Sequence, residues 1–183
     1  VISNSTATGN LTSEAVKATA VSSGANSVPE ALTAKATTHE ATADLAWDST
    51  AEVAISLSGD SITANHASVT IDGSQATITA AGVYRISGAL ANGQISVNTS
   101  DKDAVRLILN GVDIKNSSGA AIAVVKAEKT IITLADNTSN SVSDGANYVF
   151  PAPDVDEPNA AIFSAGDLTI DGAGSLAVQG NFN

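Results

Sequence analysis

The chain has 183 residues, 19 acids against 8 bases, a net charge of −11, 43% apolar and 3% aromatic residues, and neither Cys nor Met. This excludes a disulfide scaffold, Cys-ligated zinc and thiol chemistry, and like-charge repulsion argues against nucleic acid and anionic membrane as direct partners. No apolar run approaches the roughly 20 residues that span a bilayer, so direct membrane insertion is not expected. Two His, one Trp, two Tyr and three Phe leave few catalytic or stacking groups. The composition favours an extracellular structural or binding protein over an enzyme. Because the first residue is Val1 rather than Met, a secretion signal is expected to have been removed or left out.

In chain order, residues 1–46 come first. They are mostly Ala, Thr and Ser with little bulky apolar content, too little to offset the entropy of ordering, and read as a tail or linker. Within them Ser27-Val28-Pro29-Glu30 has the form of a capping box with Pro just inside the start, and could begin a short helix reaching Lys35 or His39.

From Ala51 onward the pattern changes to short runs of β-type residues cut by Gly, Asn and Asp. The runs are Val53–Leu57, Val69–Ile71, Ala76–Ile78, Val83–Ile86, Ile95–Val97, Val105–Leu109, Ile122–Val124, Thr130–Leu134, Ala161–Phe163, Leu168–Ile170 and Leu176–Val178. Apolar residues alternate with small polar ones, so each strand has one face in and one out. No helical period interrupts them, and the chain reads as all-β. An aliphatic residue, one spacer and Gly recur at Leu57-Ser58-Gly59, Ile71-Asp72-Gly73, Ile86-Ser87-Gly88, Leu109-Asn110-Gly111, Ile170-Asp171-Gly172 and Val178-Gln179-Gly180. Short strands that end in such turns suit a β-solenoid, whose narrow interior takes aliphatics rather than rings. The alternative is a sandwich in which Asp72-Gly73, Asn92-Gly93, Asn110-Gly111 and Asp171-Gly172 are hairpin turns.

Several longer words follow one another in order over residues 47–183. They include Trp47-Asp48, Ile55-Ser56-Leu57-Ser58-Gly59-Asp60-Ser61-Ile62, Val69-Thr70-Ile71-Asp72-Gly73 and Thr77-Ile78-Thr79-Ala80-Ala81-Gly82-Val83-Tyr84. Further on stand Asn92-Gly93-Gln94-Ile95-Ser96-Val97, Val105-Arg106-Leu107-Ile108-Leu109-Asn110-Gly111, Ser143-Asp144-Gly145-Ala146-Asn147-Tyr148 and Gly166-Asp167-Leu168-Thr169-Ile170-Asp171-Gly172. In these the chain resembles the secreted bacterial carbohydrate-binding β-helix family, which is similar in fold to pectate lyases and carries calcium. The resemblance implies a right-handed single-stranded parallel β-helix over residues 47–183, bound Ca²⁺, and binding of cellulose-like or uronate-rich polysaccharide without cleavage. Two departures stand out: Ala165-Gly166-Asp167 replaces the paired acids the family tends to carry before Leu-Thr-Ile, and the chain stops at Asn183 after about half of such a helix.

The acids between Ser143 and Asn159 lie in a stretch with Pro151, Pro153 and Pro158 and no base, a loop of the kind that is often functional. Ca²⁺ needs six to eight oxygens; Asn140, Asp144, Asp156, Glu157, Asn159 and Asp167 could supply them if the loop folds onto the next coil, and otherwise the acids form a solvated loop. Asp101 and Asp103 make a second acidic turn, read either as a cation corner or as a solubilising bend. Asp72, Asp113 and Asp171 occupy turn positions where Asp bonds its own backbone. Asn110, Asn116 and Asn140 could stack as an amide ladder. Arg85 and Arg106 alternate with apolar neighbours and are expected to face outward, where they could bind a uronate carboxylate or simply be solvated; Tyr84 and Tyr148 could offer platforms to a sugar ring. Trp47 reads as a plug over the first coil rather than as a sugar-stacking surface. Two functions follow: a calcium-dependent polysaccharide-binding protein outside a bacterial cell, or an adhesive subunit that self-assembles end to end through strand edges and its tail. A polysaccharide lyase is the minor third.

Overall fold

The computed structural model describes residues 46–150, 152 and 154–182, all within the second of two units of the chain, Glu40–Asn183. The expected tail, apart from Ala46, and the capping-box helix lie outside the described residues. After a short 3₁₀ turn at Ser49–Ala51, capped by Asp48 through the Thr50 N–H at 2.8 Å, every element is a strand. They are β1 (Glu52–Gly59), β2 (Ser61–Ala64), β3 (Val69–Asp72), β4 (Gln75–Ile78), β5 (Gly82–Leu90), β6 (Gln94–Asn98) and β7 (Val105–Lys115). Then follow β8 (Ile122–Lys126), β9 (Lys129–Leu134), β10 (Ser139–Ser143), β11 (Ile162–Ser164), β12 (Asp167–Gly172) and β13 (Ser175–Gln179).

The strands form two sheets. The first runs β12-β9-β7-β5-β1-β2, with β10 joining β7 to β13, and the second runs β11-β8-β6-β4-β3. From β4 onward every pair is parallel, and the chain reaches each parallel partner only after visiting the other sheet. The first turns of chain differ. β1 pairs β2, and β3 pairs β4, antiparallel. The all-β reading therefore holds, with mixed sheets rather than parallel strands alone. Of the expected hairpin turns, Asp72-Gly73 is one; Asn110-Gly111 lies inside β7, and Asn92-Gly93 joins strands of different sheets.

The core follows from register. Side chains alternate across a strand, so residues aligned across a parallel sheet share a face. In the first sheet Ile55, Ile86, Leu109 and Leu134 form one inward row and Val53, Tyr84, Leu107, Ile132 and Ile170 the next. In the second, Ala76, Ile95, Ile122 and Ile162 face them, beside Ile78, Val97 and Val124. Most are fully buried, each worth about 1.5–3 kcal/mol as aliphatic surface leaves water. On β12 and β13, Ile170 and Val178 are exposed, whereas their counterparts one strand earlier, Ile132 and Val142, are buried.

Two strands escape the sequence pattern. β10 reads Ser-Asn-Ser-Val-Ser and is held by polar contacts. Asn140 accepts from the backbone N–H of Gly111 and of Val112, both at 3.0 Å, and donates to Thr138 Oγ1 and to the Ser175 carbonyl. The expected amide ladder is thus replaced by side chain-to-backbone staples across three strands. At Gly88 the β5–β7 register slips, with φ +97° and no room for a Cβ, which would stand 2.2 Å from the Leu57 carbonyl oxygen. Replacing Asn140 by Leu leaves two buried N–H groups and a carbonyl unpaired; a loss of about 2–3 kcal/mol of stability is expected, read by urea denaturation.

Candidate functional site

The outward face of the first sheet carries the polar constellation. Arg85, Ile108, Thr133 and Asp171 are register partners on four neighbouring strands, so their side chains make one row across the sheet. Two residues upstream runs a parallel row of Val83, Arg106, Ile131 and Thr169. The segment entering β1 lays Trp47 over this second row, with its ring 4.8 Å from the Arg106 guanidinium carbon. A groove of about 510 Å³ results, lined by Trp47, Arg85, Ile108, Asn110, Thr133 and Asp171, among others, and rimmed by Asp136. A second furrow of about 420 Å³ lies on the other side of Trp47, against Val83, Asp103, Arg106 and Ile131.

Charges on this face are matched. Glu52 takes a two-point contact from Arg85, Nε to Oε2 at 2.6 Å and Nη2 to Oε1 at 3.0 Å, and its Oε1 also accepts the Trp47 indole N–H at 2.9 Å. The Arg85 hydrogen bonds hold the Glu52 carboxyl below its ordinary value, against the opposing effect of burial, and the same contact raises Arg85. Arg106, 4% exposed, donates to Thr133 Oγ1 and lies 3.7 Å from an Asp171 oxygen. Within Asp171, Oδ1 is buried with no hydrogen-bond partner among the described residues.

The sequence candidates divide accordingly. Arg85 and Arg106 face outward as expected, but each is already paired with a carboxylate, and Arg106 is buried. Tyr84 is not a sugar platform: it is 1% exposed in the core row, with its hydroxyl donating to the Ala80 carbonyl and hydrogen-bonded to the Ser68 hydroxyl. Tyr148 stands apart from the groove residues, packed on Phe182 and Phe150 at centroid distances of 4.3 and 5.7 Å. Burial and its hydrogen bond to Asp144 push its hydroxyl well above the ordinary tyrosine range. Missed by the sequence reading were Glu52 and the groove positions of Asn110, Thr133, Asp136 and Asp171, while Trp47, weighed as a plug or a stacking surface, lines the groove. Strand parity marks Thr133 and Asp171 as outward, but only register shows that they line up with Arg85.

The residues nominated for calcium are not brought together as one cluster among the described residues. Asn140 spends its amide on four strand contacts, and both Asp144 oxygens are taken, by the Tyr148 hydroxyl and the Asn181 N–H. Asp156, Glu157, Asn159 and Asp167 are exposed. No group of three or more His, Cys, Asp or Glu among the described residues is placed to hold a metal ion. Of the other acidic turn, Asp101 accepts the Ala81 N–H at 2.7 Å and staples successive strands. Asp113 is held below its ordinary value by the Ser141 hydroxyl and then by Lys115.

Because Glu52 is lowered, the stability it adds is complete above the ordinary glutamate value near 4.5 and is lost as the pH falls through its lower folded value. The chain has a single Trp, and that residue donates to this carboxylate. Acid titration is expected to shift Trp47 fluorescence below pH 4.5, with Glu52→Gln removing the transition.

A family model described as carbohydrate-binding domain-containing protein matches residues 72–183. A relative from Acetivibrio thermocellus with the same description is 42% identical over 106 residues, 58% of this chain and 37% of the relative. Among solved structures, the polysaccharide lyase-like protein from C. thermocellum, determined as a gadolinium derivative, aligns with a TM-score of 0.65 at 36% identity. That alignment covers 73% of this chain and 53% of the other, so the chain spans well under two thirds of either protein. With a model match over more than half its length, the chain belongs to the family of carbohydrate-binding domain-containing proteins.

Proposed function

We propose that this chain is a non-catalytic polysaccharide-binding module, a right-handed parallel β-helix that acts outside the cell and holds a neutral glycan on the outward face of its first sheet. The observation that carries the reading is the groove beside Trp47: an indole residue 38% exposed, with Ile108, Asn110, Thr133, Asp136 and Asp171 among the residues lining a space of about 510 Å³. Glycan sites combine these features, an apolar wall for the sugar face and polar groups for its hydroxyls. The parallel pairing in both sheets supports the helix, and the descriptions of the relatives support the ligand class.

Charge selects among glycans. The Arg85 guanidinium in the groove is matched by Glu52, that of Arg106 beside it lies 3.7 Å from Asp171, and Asp136 adds a carboxylate to the lining. A uronate would compete with existing ion pairs and meet a negative rim on a chain of net charge −11. Hydroxyl groups need only orient as donors to those carboxylates. Elimination chemistry is disfavoured by the same pairing, since Glu52 raises Arg85 further from the neutral form a base must adopt. The binding proposed draws on the groove residues and on none of those nominated for calcium.

The test is retention on insoluble β-1,4-glucan compared with immobilised polygalacturonate, at low and at 0.5 M salt, with and without EDTA. Retention on the neutral polymer is expected, insensitive to salt and chelator, with Asn110→Ala weakening it about 3- to 10-fold as one or two hydrogen bonds are lost. Retention on polygalacturonate alone, abolished by salt or EDTA, contradicts the reading. Secretion is checked by locating the protein in culture supernatant.

A further inference from the structure

We infer that the bound glycan runs across the strands, along the direction in which they stack, with Trp47 as a side wall, and that the groove reads three to four sugar units. This rests on the polysaccharide-binding reading and adds the path and length of the ligand.

The path follows from what bounds the groove. Its length is the row Arg85, Ile108, Thr133 and Asp171, one residue on each of β5, β7, β9 and β12. Neighbouring strands are 4.7–4.9 Å apart, so the three intervals span about 14 Å. Along the strands the space is bounded upstream by the Trp47 ring, seated on Arg106 and tied to Glu52; downstream β9 and β12 end at Leu134 and Gly172, while β5 and β7 run on. A ligand lying along the strands has to displace Trp47 to continue into the furrow beyond it. A ligand lying across them displaces nothing.

The length follows from the repeat. One strand spacing is close to the rise of one extended pyranose unit, so successive sugars meet successive strands in register. Arg85 with Glu52 stands at one end and Asp171 at the other, with Thr133 and Asn110 between them. Trp47 lines both the groove and the furrow. With its lower face on Arg106 and its N–H occupied, the ring keeps an apolar surface that is 38% exposed for the residue as a whole. That surface forms a wall along the row, against which one or two sugar rings can pack.

Calorimetric titration with linear β-1,4-gluco-oligosaccharides of two to six units tests this, followed in parallel by Trp47 fluorescence. Affinity is expected to rise with each unit up to three or four and then stay flat, with a fluorescence shift at each length that binds. Trp47→Ala is expected to lose 10-fold or more at every length without moving the plateau, and Trp47→Phe to recover most of the loss. A rise that continues to six units, or tighter binding by Trp47→Ala, overturns the inference in favour of a path along the strands. Retention on the insoluble glucan with no oligosaccharide binding overturns it while leaving the polysaccharide-binding reading intact. Failure on polymer and oligosaccharides alike overturns both.

Discussion

The organisation of this molecule depends on in-register stacking of aliphatic side chains on parallel strands. Ile55, Ile86, Leu109 and Leu134 occupy equivalent positions in successive strands, as do Ala76, Ile95, Ile122 and Ile162 in the opposite sheet. A slip of one residue would turn an inward row outward, so burial locks register. Once register is locked, the outward residues are ordered too: Arg85, Ile108, Thr133 and Asp171 can only form a line. The groove is therefore a consequence of the core, drawn on its reverse side by the same alternation.

Ion pairing on that reverse face shapes what the groove can hold. An exposed salt bridge contributes little, but Glu52 is mostly covered and receives two bonds from Arg85 and one from Trp47. Its carboxylate ties the segment before β1 to the sheet. The indole in turn covers Arg106, whose charge is met by Asp171 from the far strand; a cation beneath an aromatic face adds about 0.5–2 kcal/mol. Five side chains, Trp47, Glu52, Arg85, Arg106 and Asp171, thus settle one another's positions. The arrangement gives the groove a rigid wall and leaves it no unmatched guanidinium to attract an acid.

Much of this was legible in the sequence, and what was not has a common cause. Alternation located eleven of the strands because each carries Ile, Val, Leu or Ala on its inward side. β10 was missed because its contacts are hydrogen bonds from Asn140 rather than apolar packing, and β2 because its four residues owe their form to pairing with β1. The antiparallel start was open in the words Asp72-Gly73, which suit a hairpin and a solenoid corner equally. Tyr84 and Arg85 show the limit of parity: they are adjacent, one fully buried and one on the groove, and the sequence could not say which ring or charge had a partner. The groove itself joins residues from 47 to 172, and only register brings them together.

Several acids near the strand turns are satisfied by donors of the chain itself. A carboxylate near a strand turn can be satisfied by a metal ion or by N–H and O–H donors, and here the donors are present. Asp101 takes the N–H of Ala81 across 20 residues, Asp144 takes the N–H of Asn181 and the hydroxyl of Tyr148, and Asp113 takes Ser141 and Lys115. Each of these except the Tyr148 and Lys115 contacts links one turn of the chain to a later one. Acidic residues in such turns are consistent with calcium by composition alone, whereas in this chain the geometry gives Asp101, Asp113 and Asp144 donors of the chain, pairs Asp171 with Arg106, and leaves Asp136, Asp154, Asp156, Glu157 and Asp167 exposed.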